Sequence, residues 1–259
     1  VNIVPTIAGS NRDEVKLWLS TARYFVDLDY SLIGSMLRIP KVKVNNPDSF
    51  EAFNFYRSSA WKIRGVQNPL NSLASVGNNN LYAYRYDWDD HRKFVVADFK
   101  KLIGAAHATE IPLLAGNMDL VGGYPLSDLI YPPSFSKRYT SKNMMKFWTN
   151  FAKTGSPGNS SNSVFWKPYV DDNDESYYMI IDNKKNLRME KDSISYESLT
   201  SMLKSDDRLN DLEKCVVLFQ IFTYVGEDIY DKNISNYPNK CSREESESFL
   251  IENASFIEY

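Results

Sequence analysis

The mostly apolar opening stretch, residues 1–8, reads as a short buried strand bounded by Gly9. From there the period changes. Val15, Trp18, Leu19, Ala22, Phe25 and Val26 recur at helical spacing and predict a helix with Asn11 as its N-cap. Residues 41–50 are polar and read as a loop. A second helical stretch follows over 50–66, with Phe53, Tyr56, Ala60 and Ile63 on one side. Residues 81–88 alternate strictly, which predicts a strand with Tyr82, Tyr84, Tyr86 and Trp88 on one face. A helix over 141–153 has a clear stop, Gly155 and then Pro157. Residues 158–163 form a surface loop. Segments 177–182 and 187–191 suggest a hairpin turning at 183–186. After Ser205 the chain is rich in Glu, Ser and Asn around one apolar stretch, 216–225. Strands separated by long helical stretches imply an α/β arrangement with a largely parallel sheet.

Composition narrows the function classes. With 259 residues, 43% apolar and 14% aromatic, the chain can bury a sizeable core. The net charge is −3 with both signs mixed along the chain, which speaks against a nucleic-acid partner. No apolar run is long enough for a transmembrane segment, and no signal peptide is visible. Metal-ligand spacing, phosphate loops and dinucleotide fingerprints are absent, so no metal and no cofactor are expected. Cys215 and Cys241 are the only cysteines. They are either two free thiols or one disulfide closing a loop of about 25 residues, worth on the order of 3 kcal/mol. Asn159, Asn233 and Asn253 begin N-x-S/T sequons, which matter only in a secreted eukaryotic chain.

Two residues are candidates for chemistry. Glu14 follows the first strand and borders the apolar face of the expected helix. Asn11-x-x-Glu14 also has the spacing of a capping box, which is a purely structural reading. Asp13 is the fallback acid. His107 stands among small residues, Gly104, Ala105, Ala106 and Ala108, which allow close backbone approach. His91, in Asp87-Trp88-Asp89-Asp90-His91-Arg92-Lys93, reads instead as part of a solvated loop. Glu110 is expected to make a local structural contact. No G-x-S-x-G occurs, and neither Ser10 nor Ser75 has the flanking glycines of a nucleophile elbow.

Three stretches in order carry a family resemblance: Gly9-Ser10-Asn11-Arg12-Asp13-Glu14, Gly104-Ala105-Ala106-His107-Ala108-Thr109-Glu110-Ile111-Pro112, and Phe147-Trp148-Thr149-Asn150-Phe151-Ala152-Lys153-Thr154-Gly155-Ser156-Pro157. Together they resemble the C-terminal half of a type-B carboxylesterase, in the carboxylesterase/cholinesterase family of α/β-hydrolases. Val15 departs from the glycine usual in the family. The resemblance implies part of a central, mostly parallel sheet with flanking helices over residues 1–205, and a C-terminal extension over 206–259 packing on it. It implies that Glu14 and His107 are the acid and base of a Ser-Glu-His triad acting on a small carboxylic ester. The serine and oxyanion amides would lie on an N-terminal half, the expected partner. The third stretch is read as packing, with Trp148 and Phe151 facing the core under Trp166 and Tyr169. Relatives often carry a late disulfide and are exported, which favours a Cys215–Cys241 bond and a secreted or periplasmic location. The different-class alternatives are a non-catalytic, cholinesterase-like adhesion module and an inactive fragment. A half-sheet would leave an open edge beside residues 1–7 and 81–88.

Overall fold

The structure is a computed structural model that describes residues 3–29, 41–94, 97–170, 175–223, 230, 231, 234 and 241–253. In chain order its elements are β1 (Thr6–Asn11), α1 (Lys16–Leu19), β2 (Val26–Asp29), β3 (Lys41–Val44), α2 (Pro47–Lys62), α3 (Asn68–Ala74), β4 (Leu81–Tyr86), α4 (Phe99–Leu102), α5 (Ile111–Ala115), α6 (Leu126–Ile130), α7 (Phe135–Thr154), β5 (Tyr177–Ile181), β6 (Arg188–Lys191), α8 (Tyr196–Ser205), α9 (Asp211–Thr223) and α10 (Arg243–Glu252). The chain divides into two compact units. The first comprises Val1–Glu14, Trp61–Phe94 and Asp98–Ser193; the second comprises Val15–Ala60, Val95–Ala97 and Ile194–Tyr259.

The first unit is built on a mixed sheet in the order β1-β4-β5-β6. β1/β4 and β4/β5 are parallel, and β5/β6 is the expected antiparallel hairpin. This is an α/β fold. Alternation along β4 sends Tyr82 and Tyr86 to one face, where they are buried with Trp88, Tyr131, Phe147, Trp166, Met179 and Ile181. The intervening Leu81 and Ala83 join Val66, Leu70, Tyr169, Tyr178 and Ile180 on the other face. Both faces of β4 and β5 are therefore covered, as the apolar run of β5 requires.

α7 begins earlier than its apolar pattern indicates, because the Ser134 side chain accepts from the Lys137 amide and caps it there. It stops at Gly155, whose φ of 75° is left-handed. Trp166 packs edge-on against Trp148, as the sequence suggests, and against Phe147 as well, while the Phe151 ring meets Tyr82. Tyr169 does not cover Trp148 and Phe151, since it lies with the cluster on the opposite sheet face.

Other expectations are corrected as well. The first strand is not residues 1–8; residues 1 and 2 lie outside the described ones, and β1 runs through Gly9 to Asn11. Gly9 is not a boundary but a close-approach position. It sits opposite Tyr84, and a Cβ there would fall 2.0 Å from the Tyr84 ring. β1 lies at an edge of the sheet as described, but β4 is paired on both sides, so residues 81–88 do not border an open edge.

In the second unit, the helix expected over 15–26 is a single turn, α1. Thr21 ends it by donating its amide and hydroxyl to the Trp18 carbonyl. Val26 then opens β2, which pairs antiparallel with β3. The Lys-Val-Lys-Val alternation of β3 is a strand pattern inside what reads as a polar loop. Within the same stretch, the Asn46 side chain accepts from the Ser49 amide and starts α2 at Pro47. The apolar stretch after Ser205 is the buried α9; residues 224 and 225 lie outside the described ones, as does Asn233. Cys215 on α9 is bonded to Cys241, just ahead of α10. Among the described residues, no helix is long and apolar enough to cross a membrane.

The Gly9–Tyr84 fit makes one prediction. Gly9→Ala pushes the Tyr84 ring into Trp148 and Trp166, whose rings stand 5.1 and 6.2 Å from it. Overpacking of this kind should lower stability by about 1–3 kcal/mol, read as a lower denaturant midpoint at unchanged slope.

Candidate active site

β1 delivers the chain to Asn11, and the turn after it carries Arg12, Asp13 and Glu14. The loop between α4 and α5 carries His107. The two segments are laced together by the backbone: the Asp13 amide donates to the Ala105 carbonyl at 3.0 Å, and the His107 amide donates to the Glu14 carbonyl at 3.2 Å. Ala105 and Ala106 are fully buried, so their small side chains are what allow this approach. Ala108, beside His107, has a left-handed φ of 65°, a conformation that costs a non-glycine residue on the order of 1–3 kcal/mol.

Glu14 and His107, 93 positions apart, meet. The Nδ1 nitrogen of His107 lies 2.8 Å from Oε2 of Glu14, so it carries the proton and donates it. The other carboxylate oxygen, Oε1, accepts from the Asn11 amide at 2.7 Å. The Asn11-x-x-Glu14 spacing therefore does form its capping-type bond, although α1 begins only at Lys16. Structural and site contacts use different oxygens of one carboxylate. The Glu14 side chain is 5% exposed and that of His107 47%. Burial pushes the Glu14 carboxyl above its ordinary range, while the Asn11 amide and His107 pull it down. The His107 ring also lies 5.2 Å from the Trp61 ring, centroid to centroid.

The other sequence candidates have different partners. Asp13 accepts from the Arg12 guanidinium at 2.6 Å and from the Ala105 amide at 2.9 Å. Arg12 also bonds Asp89, and together Asp13 and Asp89 hold its pKa above the ordinary value against the effect of burial. Glu110 makes the expected local contact through its backbone, its carbonyl accepting from the Leu114 amide at 2.9 Å, and its side chain adds a distant one: Oε2 accepts from the Asn11 side chain at 2.5 Å, across 99 positions. Asn11 also donates to the Ala106 carbonyl at 2.7 Å. The Ser10 hydroxyl is buried without a hydrogen bond, and that of Ser75 donates to the Ser72 carbonyl.

His91 corrects the sequence reading outright. It is only 7% exposed, and its ring nitrogens lie 2.5 Å from the Ile130 carbonyl and 2.7 Å from the Gly104 carbonyl. The charged residues around it mark the loop as polar, but Trp88 and Tyr131 enclose the imidazole. It anchors the start of the histidine loop. Sequence reasoning missed Trp61, Asn11 as a side-chain clamp and His91 as an anchor. Of these only Asn11 carried a signal, its three-residue offset from Glu14. Among the described residues, no group of three His, Cys, Asp or Glu side chains is arranged to hold a metal ion.

Comparison with known proteins follows the same line. The model of the carboxylesterase family matches residues 51–198, more than half of the chain. Over 114 residues the chain is 35% identical to the bile salt-activated lipase of Homo sapiens, a match covering 43% of this chain and 13% of the lipase. Among solved structures, a PNB esterase aligns with TM-score 0.44 at 20% identity, over 76% of this chain and 37% of its own. A thermophilic PNB esterase aligns with TM-score 0.39 at 19% identity, over 74% and 37%. The chain thus spans well under half of the relatives it matches, and it belongs to the carboxylesterase family.

Proposed function

We propose that this chain supplies the acid and base of a carboxylic-ester hydrolase, with Glu14 and His107 in those roles and the nucleophilic serine on an N-terminal half. The observation that carries this reading is the 2.8 Å bond between a buried carboxylate and the Nδ1 of a half-exposed histidine. A serine hydroxyl is a weak nucleophile and needs an adjacent base. A carboxylate on Nδ1 fixes the tautomer that leaves Nε2 as the proton acceptor, and it stabilises the imidazolium that forms. The serine attacks the ester carbonyl, His107 returns the proton to the leaving alcohol, and the same histidine then activates water to release the acid. Retention of both the pair and its clamps weighs against a non-catalytic adhesion module.

The division of labour rests on a further point. A nucleophile elbow needs glycines around the serine, and no such motif occurs in this sequence. The relatives are much longer than the segment matched, so the upstream half would bring the serine and the oxyanion donors. Substrates are then small carboxylic esters. The Cys215–Cys241 disulfide supports an oxidising, extracytoplasmic location.

Alone, the chain should hydrolyse short-acyl nitrophenyl esters no faster than background, and a serine-directed phosphonate should not label it. Stoichiometric labelling would refute the division. Joined to the upstream half, the assembly should turn over, and the phosphonate should mark only that half. In the assembly, His107→Ala should lower kcat by about 10⁴-fold and Glu14→Gln somewhat less, while Asp13→Asn should retain the histidine-dependent rate. Full activity in a folded His107→Ala protein would exclude it as the base. His91→Ala separates anchoring from chemistry. It removes the imidazole that stands between the Ile130 and Gly104 carbonyls, so the melting temperature should fall, with the residual rate of the folded fraction still requiring His107.

A further inference from the structure

The loop after α7 folds back along itself. The Trp166 amide donates to the Gly158 carbonyl at 3.0 Å, and the Ser160 amide donates to the Val164 carbonyl at 2.9 Å. These two bonds flank Asn159 and Phe165, which stand opposite each other as an antiparallel bridge. With no hydrogen bond between them, they form the closer of the two antiparallel pairings. Their Cβ atoms are then about 4.5–5.5 Å apart on one face. The neighbouring Ser160 and Trp166 point the other way and are buried, whereas Asn159 is exposed and Phe165 is 49% exposed.

The loop holds this face in place. The Ser160 hydroxyl accepts from the Asn162 and Val164 amides, and Asn143 of α7 accepts from the Ser161 amide and hydroxyl. Lys146 of α7 donates to the Ser160 carbonyl. The Asn159 side chain, by contrast, makes no hydrogen bond among the described residues. Asn159-Ser160-Ser161 is also an N-x-S sequon. Of the other two sequons, Asn233 lies outside the described residues. Asn253 is half-buried at the end of α10, with its Nδ2 donating to the Phe249 carbonyl at 2.8 Å. Asn159 thus combines an acceptor sequence, an unengaged amide facing solvent, and an exposed aromatic ring beside it.

We propose that Asn159 carries an N-linked glycan whose first sugar lies over the Phe165 ring. In the transfer, Asn159 Nδ2 forms a bond to the anomeric carbon of a lipid-pyrophosphate-linked oligosaccharide and gives up one proton. The bond from that carbon to the phosphate oxygen breaks, and the lipid pyrophosphate leaves with the bonding pair. The Ser161 hydroxyl, which completes the sequon, is engaged by Asn143 in the folded loop. Transfer therefore precedes folding of this loop, and the finished fold leaves the acceptor at the surface, where a bulky sugar fits. The apolar C–H face of the first sugar then covers the Phe165 ring and removes it from water. The inference rests on the extracytoplasmic reading of the Cys215–Cys241 bond and not on the roles of Glu14 and His107.

The test begins with the protein purified from its source. Peptide mass spectrometry should find a sugar-bearing peptide that contains Asn159. Enzymatic release of the glycan in heavy-oxygen water should convert Asn159 to aspartate carrying the label. The state of Cys215 and Cys241 is read in the same digest. A bare Asn159 overturns the proposal; bonded cysteines would then leave the location reading standing, and free thiols would take it down as well. Stacking is tested on protein secreted from a glycosylating eukaryotic host. Protons of the first sugar should shift upfield under the aromatic ring, and Phe165→Ala should abolish that shift. Releasing the glycan should lower the melting temperature of the parent but not of Phe165→Ala, and Asn159→Gln should remove one glycan from the intact mass. Unshifted sugar protons on an occupied Asn159 would overturn the placement over Phe165.

Discussion

Two hydrogen bonds to one buried carboxylate organise the site end of the first unit. Glu14 receives the Asn11 amide on one oxygen and the His107 ring on the other. A carboxylate this enclosed is expensive to keep ionised, and burial raises its pKa. Both compensating bonds come from segments that have to be in place first: the end of β1 and the loop after α4. The same two segments are fastened by the Asp13–Ala105 and His107–Glu14 backbone bonds, and by Asn11 reaching to Ala106 and Glu110. Removing either the Asn11 amide or the His107 ring leaves the Glu14 carboxylate short of a partner in a buried setting. Functional geometry and local stability therefore rise and fall together here.

The positioning begins deeper, in the sheet. β1 can lie flat against β4 only because Gly9 leaves room for the Tyr84 ring, and Tyr84 in turn abuts Trp148 and Trp166. The helix α7, closed at Ser134 and Gly155, holds Phe147 and Trp148 against that face. Close packing of large rings transmits displacements poorly tolerated anywhere along the row. The histidine loop is braced from its other side by Tyr131, whose hydroxyl donates to the Thr109 carbonyl, and by His91 on Gly104. With both ends of the loop pinned, the left-handed backbone of Ala108 is sustained by its surroundings rather than relaxed.

How much of this was legible in the sequence depends on the range of the interactions involved. Strand β4 and the β5–β6 hairpin were readable because alternation is local and strict. The stop of α7 was readable because glycine and proline act on their own backbone. The Glu14–His107 pairing came from motif resemblance; spacing of 93 positions carries no geometric information by itself. The failures have physical causes too. Residues 15–26 keep helical spacing, yet Thr21 closes the turn and β2 finds a partner in β3, so tertiary pairing overrides the local pattern. Gly9 looked like punctuation because a glycine that ends a strand and one that admits a neighbouring ring are identical in sequence. His91 looked solvated because its neighbours are charged, whereas its burial comes from Trp88 and Tyr131, the latter 40 positions away.

The Asn11–Glu14 spacing shows why structural and functional readings of a motif are not always rivals. A capping box and a triad acid call for the same residue in the same turn, and a carboxylate has two oxygens to serve both. The capping-type bond does more than satisfy an amide: it fixes the rotation of the carboxylate, so the second oxygen points at Nδ1 of His107 instead of turning to solvent.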